Sequence, residues 1–419
     1  MLDRTVQPAF QNSSSFDLLQ PETITLKNTL PITVVRGGEQ AVAKIEFIFE
    51  AGKWHENHPG VSYFTSHQLQ KGTASKNSYQ ISSETEHLGV HFDVSPGYDF
   101  SSIALYGLTK NIPEVFNLTR EIITAPVFPQ LELDQMKAIY NQTLKINLEK
   151  TSYLASLELR KKLFGADHPY GRDAELSNIA EIQHTWLSEF HATRFGSFRI
   201  ICSGKITDAL LHALTDCFDS IQLNTSSERE FAETHAAVDA GFIEKKESVQ
   251  SSLRLGRRAV SRTHADYPAV LLLNHVLGGY FGSRLMKNIR EEKGLTYGIN
   301  SSVAALKHAS YLAIGTDVNK ENRELALQEI KNEMRKLCTQ AISKSELEIA
   351  RNHFIGSLQS EITTPFAHAD KIKNILLFSL PANYYQQLIM NVNALSSNEL
   401  METANEYFNP ETFTSVVVG

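Results

Sequence analysis

Apolar and polar residues alternate with period two over residues 23–35, broken at Leu30-Pro31, which predicts a hairpin or an edge strand. Residues 43–52 alternate more strictly and stop at Gly52, a second strand. A helix is predicted from about residue 59 to residue 70. Residues 91–108 read as two strands around Pro96-Gly97-Tyr98-Asp99, a turn by composition. The period then becomes helical. Val115, Leu118 and Ile122 mark a helix over 111–124, ended by Pro126 and Pro129. Met136, Ile139, Tyr140, Leu144 and Leu148 lie near one face of a second helix over 131–148. A third helix over 153–164 stops at Gly165, and residues 198–204 form a strand that closes this half.

A polar, core-poor stretch starts at Thr225 and runs to about Asp239, which reads as a linker over 221–240. The plan then repeats. A strand over 252–257 precedes a helix over 267–277. Strands over 298–303 and 310–316 precede a helix over 322–339. Another helix begins near Ser343, and a last strand over 413–418 echoes the one at 198–204. The repetition predicts a duplicated α+β fold. Its two domains, 1–220 and 241–419, are each expected to hold a mostly antiparallel sheet with helices on one face.

The length of 419 residues exceeds one ordinary core and agrees with two domains. With 42% hydrophobic and 21% charged residues the composition is that of a soluble globular protein. A net charge of −7 and the lack of a basic stripe argue against nucleic acid as a partner. Cys202, Cys217 and Cys338 are far apart, without metal-ligand spacing, and read as isolated thiols. No run of about 18 apolar residues predicts a membrane span. The first residues lack the apolar core of a signal peptide, so the expected compartment is the cytoplasm, or the periplasm if a leader has been removed.

The helix near residue 60 carries the most informative motif. Gly60-Val61-Ser62-Tyr63-Phe64-Thr65-Ser66-His67, continued by Gln68-Leu69-Gln70-Lys71-Gly72-Thr73, resembles the zinc segment of the M16 (pitrilysin, insulinase, mitochondrial processing peptidase) metallopeptidases, G-x-x-H-x-x-E-H-x-x-x-K-G-T. Further phrases follow in the family's order: Ala125-Pro126-Val127-Phe128-Pro129, Asp167-His168-Pro169-Tyr170-Gly171, Gln250-Ser251-Ser252, and Gly278-Gly279 through Ser283-Arg284-Leu285 to Gly294-Leu295-Thr296-Tyr297. The resemblance implies an M16 peptidase-like fold. In that family two His four residues apart on one helix face hold zinc, and the Glu between them polarises the attacking water. Here Tyr63 stands for the first His and Ser66 for the Glu, and His67 alone remains. The distant Glu ligand corresponds to Thr143. One imidazole without carboxylates neither holds zinc well nor supplies a general base, so no metal site is expected in this chain.

The resemblance also implies a role for Arg290 and Tyr297. At these positions active M16 enzymes use an Arg to hold substrate and a Tyr hydroxyl to stabilise the oxyanion of the tetrahedral intermediate. The processing peptidase and some bacterial relatives are heterodimers in which one subunit brings zinc and the other the complementary groups. This chain resembles the second kind. It is expected to be inactive alone and active with a zinc-bearing M16 subunit on a peptide substrate, with zinc in that partner and no cofactor of its own. A heterodimer is expected, a homodimer being the other arrangement. The alternative is a structural scaffold without proteolytic role, like the processing-peptidase-like core proteins of respiratory complexes. In the strand where the family adds substrate through backbone bonds, Phe92-Asp93-Val94-Ser95-Pro96 has a proline that removes one donor.

Overall fold

A computed structural model describes residues 16–223, 229–231 and 238–419. Most of the predicted linker, residues 224–228 and 232–237, lies outside the described residues.

The first half runs β1 (Glu22–Thr25), β2 (Pro31–Arg36), β3 (Val42–Phe49), α1 (Val61–Gln68), α2 (Ser78–His87), β4 (His91–Pro96), β5 (Ser101–Leu108), α3 (Phe116–Thr124), α4 (Gln130–Leu148), α5 (Thr151–Phe164), α6 (Leu176–Glu181), α7 (His184–Arg194), β6 (Phe198–Gly204) and α8 (Asp208–Phe218). Its sheet has the order β1-β2-β6-β3-β5-β4. Only β2 and β6 are parallel; every other neighbour pair is antiparallel. The second half runs β7 (Ala240–Ile243), β8 (Gln250–Ala259), α9 (Tyr267–Asn274), β9 (Ile299–Ala305), β10 (Ser310–Asn319), α10 (Arg323–Thr339), α11 (Lys344–Glu361), α12 (Pro365–Leu377), α13 (Tyr384–Ala394), α14 (Ser397–Tyr407) and β11 (Thr414–Val418). Its sheet has the order β7-β11-β8-β10-β9, with β7 and β11 parallel.

These are the two mostly antiparallel α+β units that the repeated pattern predicts. Each keeps a large apolar core between one sheet face and its helices. One contains Phe47, Phe49, Phe64 and Phe116, and the other Leu255, Leu273, Ile314 and Met334. The strands supply alternate residues, because successive side chains point to opposite faces. In β10 Leu312, Ile314 and Val318 are buried while Tyr311, Ala313, Gly315 and Asp317 are half-exposed on the other face.

The second sheet faces are covered by exchange between the halves. Helix α5 follows the first half's helices in sequence but packs on β8 and β11 of the second sheet, where Ala155, Leu159 and Leu163 meet Val416 and Val418. Helix α12 reciprocates on β2 and β6, where Ala369 and Ile372 meet Val35 and Ile201. Lys373 of α12 pairs with the buried Glu46 carboxylate at 3.0 Å. Leaving that buried carboxylate alone would be costly, so the pair helps to hold α12 in place.

The β9–β10 turn docks on the first half as well. The His308 ring stacks on Trp54 at 4.0 Å between centroids. The Lys307 backbone N–H donates to Asp99 Oδ2 at 2.9 Å, and the Tyr170 hydroxyl donates to the same carboxylate. Among the described residues, no helix is long and apolar enough to cross a membrane.

Candidate functional site: a closed helix and an open loop

Helix α1 starts at Gly60, whose φ of 94° favours glycine. A Cβ there would also lie 3.2 Å from Ala174 and Ile179. No residue at the helix start caps it with its own side chain. Glu56, one turn upstream, does so instead: its Oε2 accepts the backbone N–H groups of Gly60 at 3.1 Å and Ser62 at 3.3 Å. Burial pushes the Glu56 carboxyl up to about 7, against the opposing pull of Lys53 and Arg172. Its Oε1 is buried without a hydrogen-bond partner, with Arg172 Nη2 at 3.8 Å.

The residues that the resemblance puts at the metal positions serve packing here. The Tyr63 ring lies 4.4 Å from the His67 ring and 5.1 Å from that of Tyr140 on α4, between centroids, and Phe64 also meets Tyr140 at 5.4 Å. These distances are those of favourable aromatic pairs. Burial lowers the His67 pKa and raises that of Tyr63. Ser66 is fully buried, and its hydroxyl donates to Ser101 Oγ on β5 at 3.1 Å. The Ser101 and Ser62 hydroxyls both donate to the Ala51 carbonyl. Thr143 is exposed on α4, beside the buried Leu144. This donor set offers one imidazole, two phenol rings and hydroxyls, which do not fit zinc's preference for nitrogen, thiolate and carboxylate ligands. Among the described residues, no cluster of three or more His, Cys, Asp or Glu is placed to hold a metal.

Beside the α1 N-terminus lies a cavity of about 240 Å³, lined by Lys53, Glu56, Tyr63, Tyr98, Tyr140 and Asp173 among others. Asp173 binds both Lys53 and Arg160, and the Lys53 ammonium sits 5.3 Å from the Tyr98 ring centroid. Burial pulls the Lys53 pKa down and pushes that of Tyr98 up to about 12. Sequence reasoning did not single out Glu56, Lys53 or Asp173. An acidic residue in the turn before an otherwise uncapped helix start was the available signal for Glu56. Strand β4 is an edge of its sheet, paired with β5 alone, and Pro96 is its last residue.

The second-half segment is built differently. Helix α9 runs into a π-helical turn, His275–Gly279, and a second π-helical segment spans Met286–Glu292. Such wide turns often mark functional positions. A Cβ on Gly278 would lie 2.8 Å from the Ser301 backbone, so the close approach to β9 requires glycine. Arg290 lies on the second π-helical segment, its guanidinium 4.7 Å from the centroid of the exposed Phe281 ring. Next to Tyr297 the backbone is pinned, because the Thr296 hydroxyl donates to the Asp317 carbonyl at 2.8 Å. The Tyr297 side chain is nevertheless 95% exposed. Among the described residues no hydrogen bond, ion pair or ring contact engages Tyr297, and none joins Arg290 or Tyr297 to Tyr63, His67 or Thr143. Within one chain the two halves of the motif are therefore not brought into contact.

With this geometry in hand, comparison with known proteins is decisive for the family. Residues 34–167 match the model of the insulinase family, peptidase family M16, and residues 181–354 match that of the peptidase M16 inactive domain. The chain belongs to the M16 family. An "uncharacterized zinc protease" of Rickettsia felis is 23% identical over 94% of this chain and 96% of its own length. A Helicobacter pylori protein named "non-peptidase homolog YmxG" is 24% identical over 86% and 85%. The crystal structure of a peptidase M16 inactive domain from Pseudomonas fluorescens superposes with a TM-score of 0.88 at 25% identity, covering 96% of this chain and 98% of that one.

Proposed function

We propose that this M16 chain is a non-catalytic subunit that completes the peptide-cleaving chamber of a zinc-bearing M16 partner. The observation that carries this reading is Tyr297, an almost fully exposed phenol on a pinned backbone, with no internal partner among the described residues and with Arg290 on the adjoining segment. The misfit of Tyr63, Ser66, His67 and Thr143 to a metal supports the non-catalytic half of the proposal. So does the name of the Helicobacter pylori relative. In this reading Arg290 holds a substrate carbonyl or carboxylate through its fixed fork of donors. Tyr297 donates its O–H to the oxygen that acquires negative charge as the partner's site attacks the peptide carbonyl.

The test is steady-state peptide cleavage by the pair reconstituted with a zinc-bearing M16 chain. Tyr297→Phe is expected to slow turnover by roughly 10²–10³-fold, the usual loss for one oxyanion donor. Arg290→Ala is expected to lower kcat/KM. Association of the pair, followed by gel filtration, stays unchanged in both. Unchanged kinetics in both variants would leave the scaffold role standing and remove this one.

A further inference from the structure

A second cavity, of about 410 Å³, lies on the other side of the Arg160–Asp173 pair. It falls within the roughly 300–1,000 Å³ of ordinary ligand sites. Its floor is the face of β9 and β10 beside α5, with Asn300, Ser302, Gly315 and Tyr311, whose ring meets Phe164 of α5 at 5.6 Å; its wall is α5, with Ser156 and Arg160. Tyr297 also lines it, so the trough runs directly into the segment described above. Three of its lining residues are charged: Arg160, Arg254 and Asp317. The lining holds two arginines to one carboxylate, Asp317, with Asp173 behind Arg160.

The two arginines are engaged to different degrees. Arg254 lies along the floor, where Gly315 leaves room for it: a Cβ at Gly315 would stand 3.3 Å from Arg254 Cδ and Nε. Its nitrogens donate to Ser156 Oγ, to the Leu253 and Thr316 carbonyls, and to Asp317 Oδ1. That guanidinium is committed to the fold. Arg160 donates through Nη2 to Asp173, but its Nε is buried without a hydrogen-bond partner among the described residues. A guanidinium carries five N–H donors, and the bond to Asp173 uses only part of them, which leaves donors on Arg160 for an acceptor in the trough that it lines.

We propose that this trough binds the carboxylate of a peptide, with Arg160 as the recognising cation and the Asn300, Ser302 and Tyr311 side chains as polar contacts along the floor. The peptide class rests on the chamber role proposed above; the carboxylate rests on Arg160. The carboxylate is either an acidic side chain or a peptide C-terminus. Both present the same two oxygens to a guanidinium.

The test uses the full chain alone, without a partner, and the fluorescence anisotropy of three labelled peptides of otherwise identical sequence. One has an internal Glu and an amidated end, one has Gln at that place and an amidated end, and one has Gln and a free C-terminus. The expected result is that at least one carboxylate peptide binds about tenfold or more tighter than the Gln amide, in line with a charge-assisted hydrogen bond. Which of the two binds identifies the source. Ser302→Trp, at an exposed strand position, fills the trough and is expected to abolish binding of that peptide. Arg160→Gln is expected to erase the preference for the carboxylate. If Arg160→Gln fails to fold, Ser302→Trp still decides the matter. Equal affinity for all three peptides, no binding at all, or binding that survives Ser302→Trp would overturn the proposal. None of these results would touch the Tyr297 kinetics of the reconstituted pair, so the two readings fail separately.

Discussion

The segment around α1 and the segment around Arg290 and Tyr297 resemble the two halves of one M16 active centre, yet they are built on opposite principles. Around α1 the side chains serve packing. Tyr63, Phe64, His67 and Tyr140 form an aromatic cluster, Ser66 is tied to β5, and Glu56 caps the helix. Around residues 278–297 the backbone is fixed by Thr296 and by the contact of Gly278 with β9, while Tyr297 is exposed and the half-buried Arg290 lies over the Phe281 ring. Packing needs explain Tyr63, Phe64, Ser66 and His67 in the first segment. They do not explain a phenol that is 95% exposed. The contrast agrees with the proposal that places this chain's functional groups in its second half.

The sharpest way to break this contrast is to mutate both segments and compare stability. Phe64 is fully buried against Tyr63 and Tyr140, so Phe64→Ala is expected to cost about 3–5 kcal/mol. Denaturant unfolding at unchanged m-value reads this directly. A loss below about 1 kcal/mol would show that the cluster is not part of the core.

A smaller effect comes from pH. His55 lies in the turn before α1 with both ring nitrogens buried and unpartnered, and burial, aided by Arg194, pulls its pKa from 6.5 to about 4. The folded state thus resists protonation that the unfolded chain accepts. Its contribution is present above about pH 6.5 and is lost as the pH falls toward 4. Glu56 has the opposite sign: its raised pKa makes its contribution largest below pH 4.5 and lost as the pH rises through 7. The difference between wild type and His55→Phe isolates the imidazole. The wild type is expected to lose about 1–2 kcal/mol more than the variant between pH 7 and pH 4, after allowance for solvent screening. Parallel stability curves would contradict a buried neutral His55.

The smallest expected effect is on the other segment. Tyr297→Phe should leave stability within about 0.5 kcal/mol of wild type, as for a surface position without a packing role, and Arg290→Ala should cost no more than about 1 kcal/mol through the lost contact with Phe281. A loss of about 2 kcal/mol or more in either would mean that the open segment serves the fold after all, as large single-site losses come from named structural roles.

Much of this was legible in the sequence. The two-domain α+β plan, the strands from β1 to β6 and the long helices α4, α5 and α10 follow from clear periods of two and 3.6. The residues that the resemblance puts at the metal positions, Tyr63, Ser66 and Thr143, are read directly from the sequence, and the expectation of no metal site there rests on them. Helix α2 buries only Ile81 and Thr85, so hydrophobic spacing does not announce it, although its Asn77–Gln80 capping box does. The exchange of α5 and α12 between the halves is invisible to periodicity, because an apolar stripe does not say which sheet it covers. Tyr140 reads as one more apolar position on α4; that it fills space beside Tyr63 depends on how α1 and α4 approach each other. The π-helical turns that carry Arg290 leave no mark in a pattern of 3.6.

The measurement that bears most directly on the central claim is peptide cleavage by three samples: this chain alone, a zinc-bearing M16 chain alone, and the two together, each with zinc determined by elemental analysis. The expected result is cleavage by the pair far above either chain, with zinc in the partner and none at stoichiometric level in this chain. Chelator-sensitive cleavage by this chain alone, with about one zinc bound as a complete tetrahedral site would hold it, would contradict the account.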